Sequence, residues 1–364
     1  MDNEYTQRLK NIEAAIEHWL PVNPGLSWIK AVFPDLEKKL NSESIRILLA
    51  PEQDLLARGG KHWRPLLMTL VCESLGGGAA SLLLAPLVEF CHNASLIHDD
   101  IEDNSEQRRG KPAIHRIYGI DTAINSGCFL YFLSLNCIES WAEELVKKGY
   151  SAAPEYKNRI YSFWAEYMRK LHLGQAMDIS WHRNLSLIPE LDEYYLMCGL
   201  KTGCLARFAA GLGVYAASAA GVKIPDADKA MVCLGEAAEK LGVGFQILDD
   251  VKNLTTGIKG KKRGDDVVEG KKSLPVLMYL HRYPEKQDFV YGCFIAAGAS
   301  GVDAPEVEDL IYAFTAAGVL DEAKENGLAM IAQAREIFSS EKQEGFSISG
   351  EGRVLLAGLT RLIS

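Results

Sequence analysis

Apolar residues recur along this chain at the three- and four-residue spacing of a helix surface, and seldom in the alternation of a half-buried strand. The pattern predicts helices over Gln7–Leu20, Pro34–Ala50, Trp63–Leu75, Pro86–Asp103, Thr122–Gly149, Glu155–Trp181, Glu190–Ala220, Asp226–Leu254, Leu274–Leu280, Pro305–Ala317 and Leu320–Ser339. Pro34, Pro86 and Pro305 fall at predicted helix starts, where a missing N–H is tolerated. There is no βαβ alternation, no GxGxxG after a strand and no internal repeat. Breaks at Leu75–Ala80, Asn104–Pro112, Thr256–Gly264 and Tyr283–Lys286 are too short for domain linkers. The expectation is one all-α domain over residues 1–364, a single large helical bundle.

Composition narrows the class. Hydrophobic residues make up 48% and charged residues 24% of the 364, which excludes a disordered chain. A net charge of −9 argues against a general nucleic-acid binder. The eight cysteines form no CxxC pair, so neither a disulfide framework nor a zinc site is expected. The N-terminus lacks the basic and apolar regions of a secretory signal. The most apolar stretch, Cys204–Gly221, is short, rich in Gly and Ala, and carries Arg207, so no transmembrane segment is expected. Together these point to a cytoplasmic protein.

Two acidic constellations carry the chemistry. In LIHDDIEDNSEQRRGKP, Asp99 and Asp103 are four apart and share a helix face. Asp100 and Glu102 crowd the same turn, and Arg108 and Arg109 follow. Carboxylates without cysteine or zinc-type histidine suit a hard cation such as Mg²⁺, and guanidinium groups suit diphosphate oxygens. Alone, such a pattern also describes a solvated acidic helix end. The second, GFQILDDVKNL, places Gln246, Asp249, Asp250 and Asn253 on one stripe of an apolar helix, where carboxylates are costly unless paired or metal-bound. Basic elements complement them: Lys61 and Arg64 in GGKHWRP, and the lysine-rich run Thr256–Lys272.

Five motifs in order, GGKxxRP, HxxSLIHDDxxDxxxxRRGxP, GQxxDI at Gly174–Ile179, KTG at Lys201–Gly203, and FQxxDD followed by EGKxxLP, resemble the trans-isoprenyl diphosphate synthase (polyprenyl synthetase) family over about residues 59–275. The resemblance implies an all-α fold around a central cavity, a homodimer, and Mg²⁺, with three ions per site. It implies Asp99, Asp103 and Asp249 as metal ligands, and Arg108, Lys201, Lys261 and Lys271 as the clamp on an allylic diphosphate (dimethylallyl, geranyl or farnesyl). Lys61, Arg64, His92 and Arg109 would bind isopentenyl diphosphate. Thr202, Gln246 and the backbone at Lys201 would face the reacting carbons, with Gln175 and Asp178 supporting the metals. Two positions depart from the pattern: Asn253 replaces the last aspartate of the second motif, and His62 stands where arginine is common.

The resemblance also bears on product length. Large aromatics one turn below the first motif stop the chain early in this family. Here those residues are Ala94 and Ser95, with the small Cys91 deeper still. Bulk returns at Tyr131, Phe132 and His172. The expected reaction is head-to-tail condensation to a trans-prenyl diphosphate, C20 in length, most like geranylgeranyl diphosphate synthases. Longer polyprenyl products are the main rival, and a non-catalytic subunit of a heteromeric synthase is a weaker one. A terpene cyclase would lack the basic motifs.

Overall fold

The computed structural model describes residues 3–36, 39–257 and 262–363. In chain order the main helices are α1 (Asn3–Trp19), α2 (Leu26–Val32), α3 (Ser42–Ala57), α4 (Trp63–Ser74), α5 (Ala85–Glu102), α6 (Ile114–Tyr118), α7 (Ile120–Leu133), α8 (Asn136–Lys147) and α9 (Ala153–Arg183). They continue with α10 (Leu191–Cys198), α11 (Cys204–Ala219), α12 (Ala227–Leu254), α13 (Asp265–Val268), α14 (Leu274–Arg282), α15 (Gln287–Ser300), α16 (Pro305–Ala316), α17 (Val319–Ser339) and α18 (Gly350–Ile363). The described strands are two-residue hairpin arms, among them β1 (Gln107–Arg108) and β2 (Lys111–Pro112). The expected all-α class holds.

Several boundaries moved, each for a local reason. The predicted helix over Thr122–Gly149 is α7 and α8, because the Leu135 N–H closes a tight turn onto the Phe132 carbonyl while the apolar rhythm runs on. The helix expected from Pro34 begins instead at Ser42, where the Asn41 side chain accepts the Ser44 N–H at 2.7 Å. The periodicity did not predict α15, whose sequence QDFVYGCFIAAGAS is too evenly apolar to show a stripe.

The chain divides into two compact units, Met1–Ala165 with Phe208–Gly235 and Phe338–Leu359, and Glu166–Arg207 with Glu236–Ile337 and Thr360–Ser364. In the first, Leu55, Ile97, Ile114 and Ala123 knit α3, α5, α6 and α7 together. The stretch Gly78–Glu102, which ends in the first acidic motif, has the length and apolarity of a membrane span, but 67% of its apolar window is buried inside the protein, as in the core helix of a globular fold.

The core of the second unit runs from Trp181 through Ile247, Leu277, Phe294 and Phe314 to Ala323. Inside this unit the predicted helix Glu190–Ala220 is interrupted by a π-helical turn, Gly199–Gly203, which contains the KTG motif. Glycines let the neighbouring backbones reach that turn. A Cβ at Gly174 would sit 2.7 Å from the Leu200 carbonyl carbon, and one at Gly242 would sit 2.9 Å from Gly203 Cα. Such π-turns frequently mark functional sites.

Also in this unit, Lys272 is 1% exposed, its Nζ has no hydrogen-bond partner among the described residues, and it lies 5.3 and 5.0 Å from the ring centroids of Tyr291 and Phe294. Burial pushes the ammonium down to about 8. The folded state therefore releases a proton that the unfolded chain keeps until about pH 10.4, and stability should rise with pH between those values. Lys272→Met should remove that rise and stabilise the protein at neutral pH, as read by urea unfolding at several pH values.

Candidate active site

In the first unit the acidic motif closes α5. Asp103 caps the helix, its N–H on the Asp99 carbonyl at 2.9 Å, and the side chains of Asp99 and Asp103 stand half-buried one turn apart. Asp100, a third of a turn round, is fully buried. Arg108 grips it: Nε and Nη2 donate to one Asp100 oxygen at 2.8 and 2.5 Å, and Nη2 reaches Asp99 at 3.3 Å. Burial opposes the guanidinium charge, but Asp100 and Asp99 outweigh it and hold Arg108 protonated.

Arg108 is aimed by a two-residue turn between β1 and β2, with Arg109 at φ 55° and Gly110 at φ 77°. Arg58 pins both arms, donating to the carbonyls of Arg108 at 3.0 Å and Pro112 at 2.9 Å while paired with Asp54. Sequence reasoning passed over Arg58, which lies outside every motif. Arg109 donates to the Leu55 carbonyl at 3.1 Å, and its guanidinium covers Gly60, where an added Cβ would meet Nη2 at 3.3 Å. Lys61 is exposed at the same loop; Arg64 is buried, stacks on Trp63 at 4.5 Å and donates to His92 Nε2 at 3.1 Å. The structure thus gathers Arg64, His92 and Arg109 beside the GGK loop.

The residues expected to govern product length separate. Ala94 and Cys91 are fully buried, Cys91 accepting from Trp164 Nε1 at 3.2 Å, and the Ser95 hydroxyl donates to the His92 carbonyl at 2.8 Å. Tyr131 is buried and stacks on His98 at 5.9 Å, whereas Phe132, the next residue round α7, is 63% exposed. The structure does not bring Phe132 to the buried set. His172, in the second unit, is exposed, its Nδ1 2.8 Å from the Met168 carbonyl.

In the second unit, Asp249 is half-buried on α12 and Asp250 is buried. Asp250 accepts from Tyr194 Oη at 3.0 Å, from Gln246 Nε2 at 2.8 Å and from Lys271 Nζ at 3.2 Å. A carboxylate can only accept, so Gln246 must turn its NH₂ to Asp250 and its oxygen away. That oxygen receives the Thr202 hydroxyl at 2.9 Å. Lys271 stays protonated: burial opposes its charge, and Asp250 and Asp266 more than compensate. Lys201 donates to the buried Asp178 at 2.5 Å, which joins the KTG motif to the GQxxDI motif. Lys261 lies outside the described residues.

Asn253, which replaces the last aspartate of the second motif, has a structural role. It is 1% exposed and braces the following loop, its NH₂ donating to the Lys262 carbonyl at 3.3 Å and its oxygen accepting the Asp266 N–H at 3.2 Å. An aspartate could accept but not donate here, and would face a carbonyl. Asn253→Asp should therefore cost about 1–3 kcal/mol, seen as a lower urea midpoint rather than as a gain of metal affinity.

Residues 45–301 match the family model described as Polyprenyl synthetase. The geranylgeranyl pyrophosphate synthase of Neocamarosporium betae is 32% identical over 324 residues, 87% of this chain and 84% of its own. Geranylgeranyl pyrophosphate synthase D of Phomopsis amygdali is 35% identical over 254 residues, 69% of this chain but 55% of its own, so the match spans about half of that relative. The geranylgeranyl pyrophosphate synthetase of Pyrococcus horikoshii Ot3 shares the fold at TM-score 0.76 and 24% identity, with 99% of each chain covered. So does the geranylgeranyl pyrophosphate synthase of Corynebacterium glutamicum, solved with isoprenyl diphosphate and magnesium, at TM-score 0.76 and 22% identity over 97% and 98% of the chains. With its five motifs carried on the helices and loops described, and with the family model matched over most of its length, this chain belongs to the polyprenyl synthetase family.

Proposed function

We propose that the chain is a prenyltransferase that condenses isopentenyl diphosphate with an allylic diphosphate head-to-tail, giving a trans-prenyl diphosphate of C20 length. One observation carries the reading. In each acidic motif the first aspartate presents a half-buried carboxylate while the second, buried, holds a cation from the following loop, Arg108 or Lys271. Each motif thus offers a carboxylate beside a positioned positive charge, which is what binding a metal diphosphate needs. The family model spans residues of both units, in support of one synthase domain.

Asp99, Asp103 and Asp249 suit Mg²⁺: their donors are all oxygen and all half-buried. Among the described residues no three His, Cys, Asp or Glu side chains form a ready cage, which fits an ion that keeps waters and substrate phosphates in its shell. When bound, Mg²⁺, three ions in this reading, would neutralise charge building on the leaving diphosphate. Arg108, Lys201 and Lys271, each held by a buried carboxylate, bind the diphosphate oxygens without reorganising. Lys61, Arg64, His92 and Arg109 hold isopentenyl diphosphate. The oxygens of Thr202 and Gln246, oriented by Asp250, lie toward the developing allylic cation, where a charge would repel it. The proton leaves to the departed diphosphate, so no side-chain base is required.

Ala94 and Cys91, small and buried, support growth past C15. The exposed stripe Ile120, Ile124, Cys128 and Phe132 on α7 supports a homodimer, and eight cysteines outside any disulfide support a reducing cytoplasm. Incubating the pure protein with Mg²⁺, labelled isopentenyl diphosphate and each allylic primer should yield a C20 product. A C15 end point would overturn the reading of Ala94, and no product in any incubation would overturn the activity.

A further inference from the structure

We propose that Glu89 is a positioning residue of the isopentenyl diphosphate pocket, taking Lys61, Arg64, His92 and Arg109 as that pocket, and that it divides two histidines into a charged His62 and a neutral His92. Glu89 is 2% exposed on α5. A single oxygen, Oε1, lies 3.2 Å from His62 Nδ1, 3.6 Å from His92 Nδ1 and accepts Asn93 Nδ2 at 2.8 Å. Burial alone would raise this carboxyl, but the two imidazoles outweigh burial and hold it well below the usual carboxylate range.

The two rings are not equivalent. Arg64 can only donate, so the 3.1 Å contact makes His92 Nε2 the acceptor and leaves its proton on Nδ1, toward Glu89. His92 is then neutral, and burial together with Arg64 pushes its pKa to about 4. His62 has no such guanidinium bond. Burial works against its charge, yet Glu89 prevails and its pKa is raised, aided by Glu13 of α1 and opposed by Arg109 of the hairpin turn. Across from it on α5 lie Glu89 and His92; on its own side lies Arg64. His62 also sits at the start of α4 in a left-handed backbone conformation, φ 43°, a costly placement for a side-chain-bearing residue.

One positive charge of the pocket is therefore titratable. It is present at low pH and lost as pH rises through the raised pKa of His62, so the KM for isopentenyl diphosphate should climb across that range while saturated turnover changes less. Glu89→Gln should move the onset of that climb down by about one pH unit. Side-chain NMR of ¹³C/¹⁵N-histidine-labelled protein should show His62 titrating lower by the same amount. A merely structural role would reduce the folded fraction and shift neither. Should Glu89→Gln fail to fold, His62→Arg, a permanent cation, should flatten the KM profile. An unmoved His62 titration, or a wild-type KM independent of pH, would overturn the proposal. The NMR arm stands even if no isopentenyl diphosphate is consumed, which separates failure of this role from failure of the proposed activity.

Discussion

Replacing Asp99 with alanine should lower turnover by about 10²–10³-fold, the scale of losing a preorganised electrostatic contact to a developing charge, while leaving the fold intact. The side chain is half-buried, so its removal opens no large cavity, and its contact with Arg108 is the weakest of the three that hold that guanidinium, at 3.3 Å against 2.8 and 2.5 Å to Asp100. Arg108 should therefore keep its place. Steady-state kinetics with labelled isopentenyl diphosphate, beside circular dichroism and the urea midpoint, test this. A folded variant with near-normal rates would remove Asp99 from the metal-binding set. Asp100→Ala should instead act through Arg108, lowering stability and activity together, because a half-buried guanidinium would lose its main partner.

The contrast between Asp99 and Asp100 shows how far the amino-acid pattern reaches. A spacing of four puts Asp99 and Asp103 on one face, and the structure agrees. The motif names two adjacent aspartates without distinguishing them, because which one is buried depends on α3, α6 and α7 closing over α5, and that is a tertiary fact. Asn253 is the same problem from the other side. The motif pattern marks it only as a departure from aspartate, whereas the structure makes it a loop brace whose donor and acceptor both have backbone partners. Arg58 acts wholly through backbone carbonyls of the hairpin and carries no motif signal. The π-turn at Gly199–Gly203 was hidden because hydrophobic periodicity continues across it. Its cause, glycines at 174, 203 and 242, is visible only once the helices that meet there are known. Phe132 was grouped with Tyr131 by adjacency, although neighbours on a helix diverge by about 100°, and one faces the core while the other faces out.

The largest stability effect should come from the second motif. Asp250→Leu leaves Lys271 without its nearest carboxylate and strips a hydrogen bond from both Tyr194 and Gln246. Removing one partner of a buried ion pair costs about 3–5 kcal/mol; the low end, about 3 kcal/mol, is expected because the Lys271 side chain retains 18% exposure and can turn toward water. Adding Lys271→Met should recover most of that loss, since an apolar pair of similar size replaces a desolvated ionic one. Activity should not return with it. Without Asp250 the Gln246 amide keeps the Thr202 hydroxyl, which can bond either end of it, so its oxygen is no longer fixed in place, and without Lys271 one proposed diphosphate contact is gone. Chemical denaturation measured in parallel with kcat on the single and double variants separates the two effects. If stability and activity recovered together, Asp250 would be a packing residue, and the orientation of Gln246 would have another source.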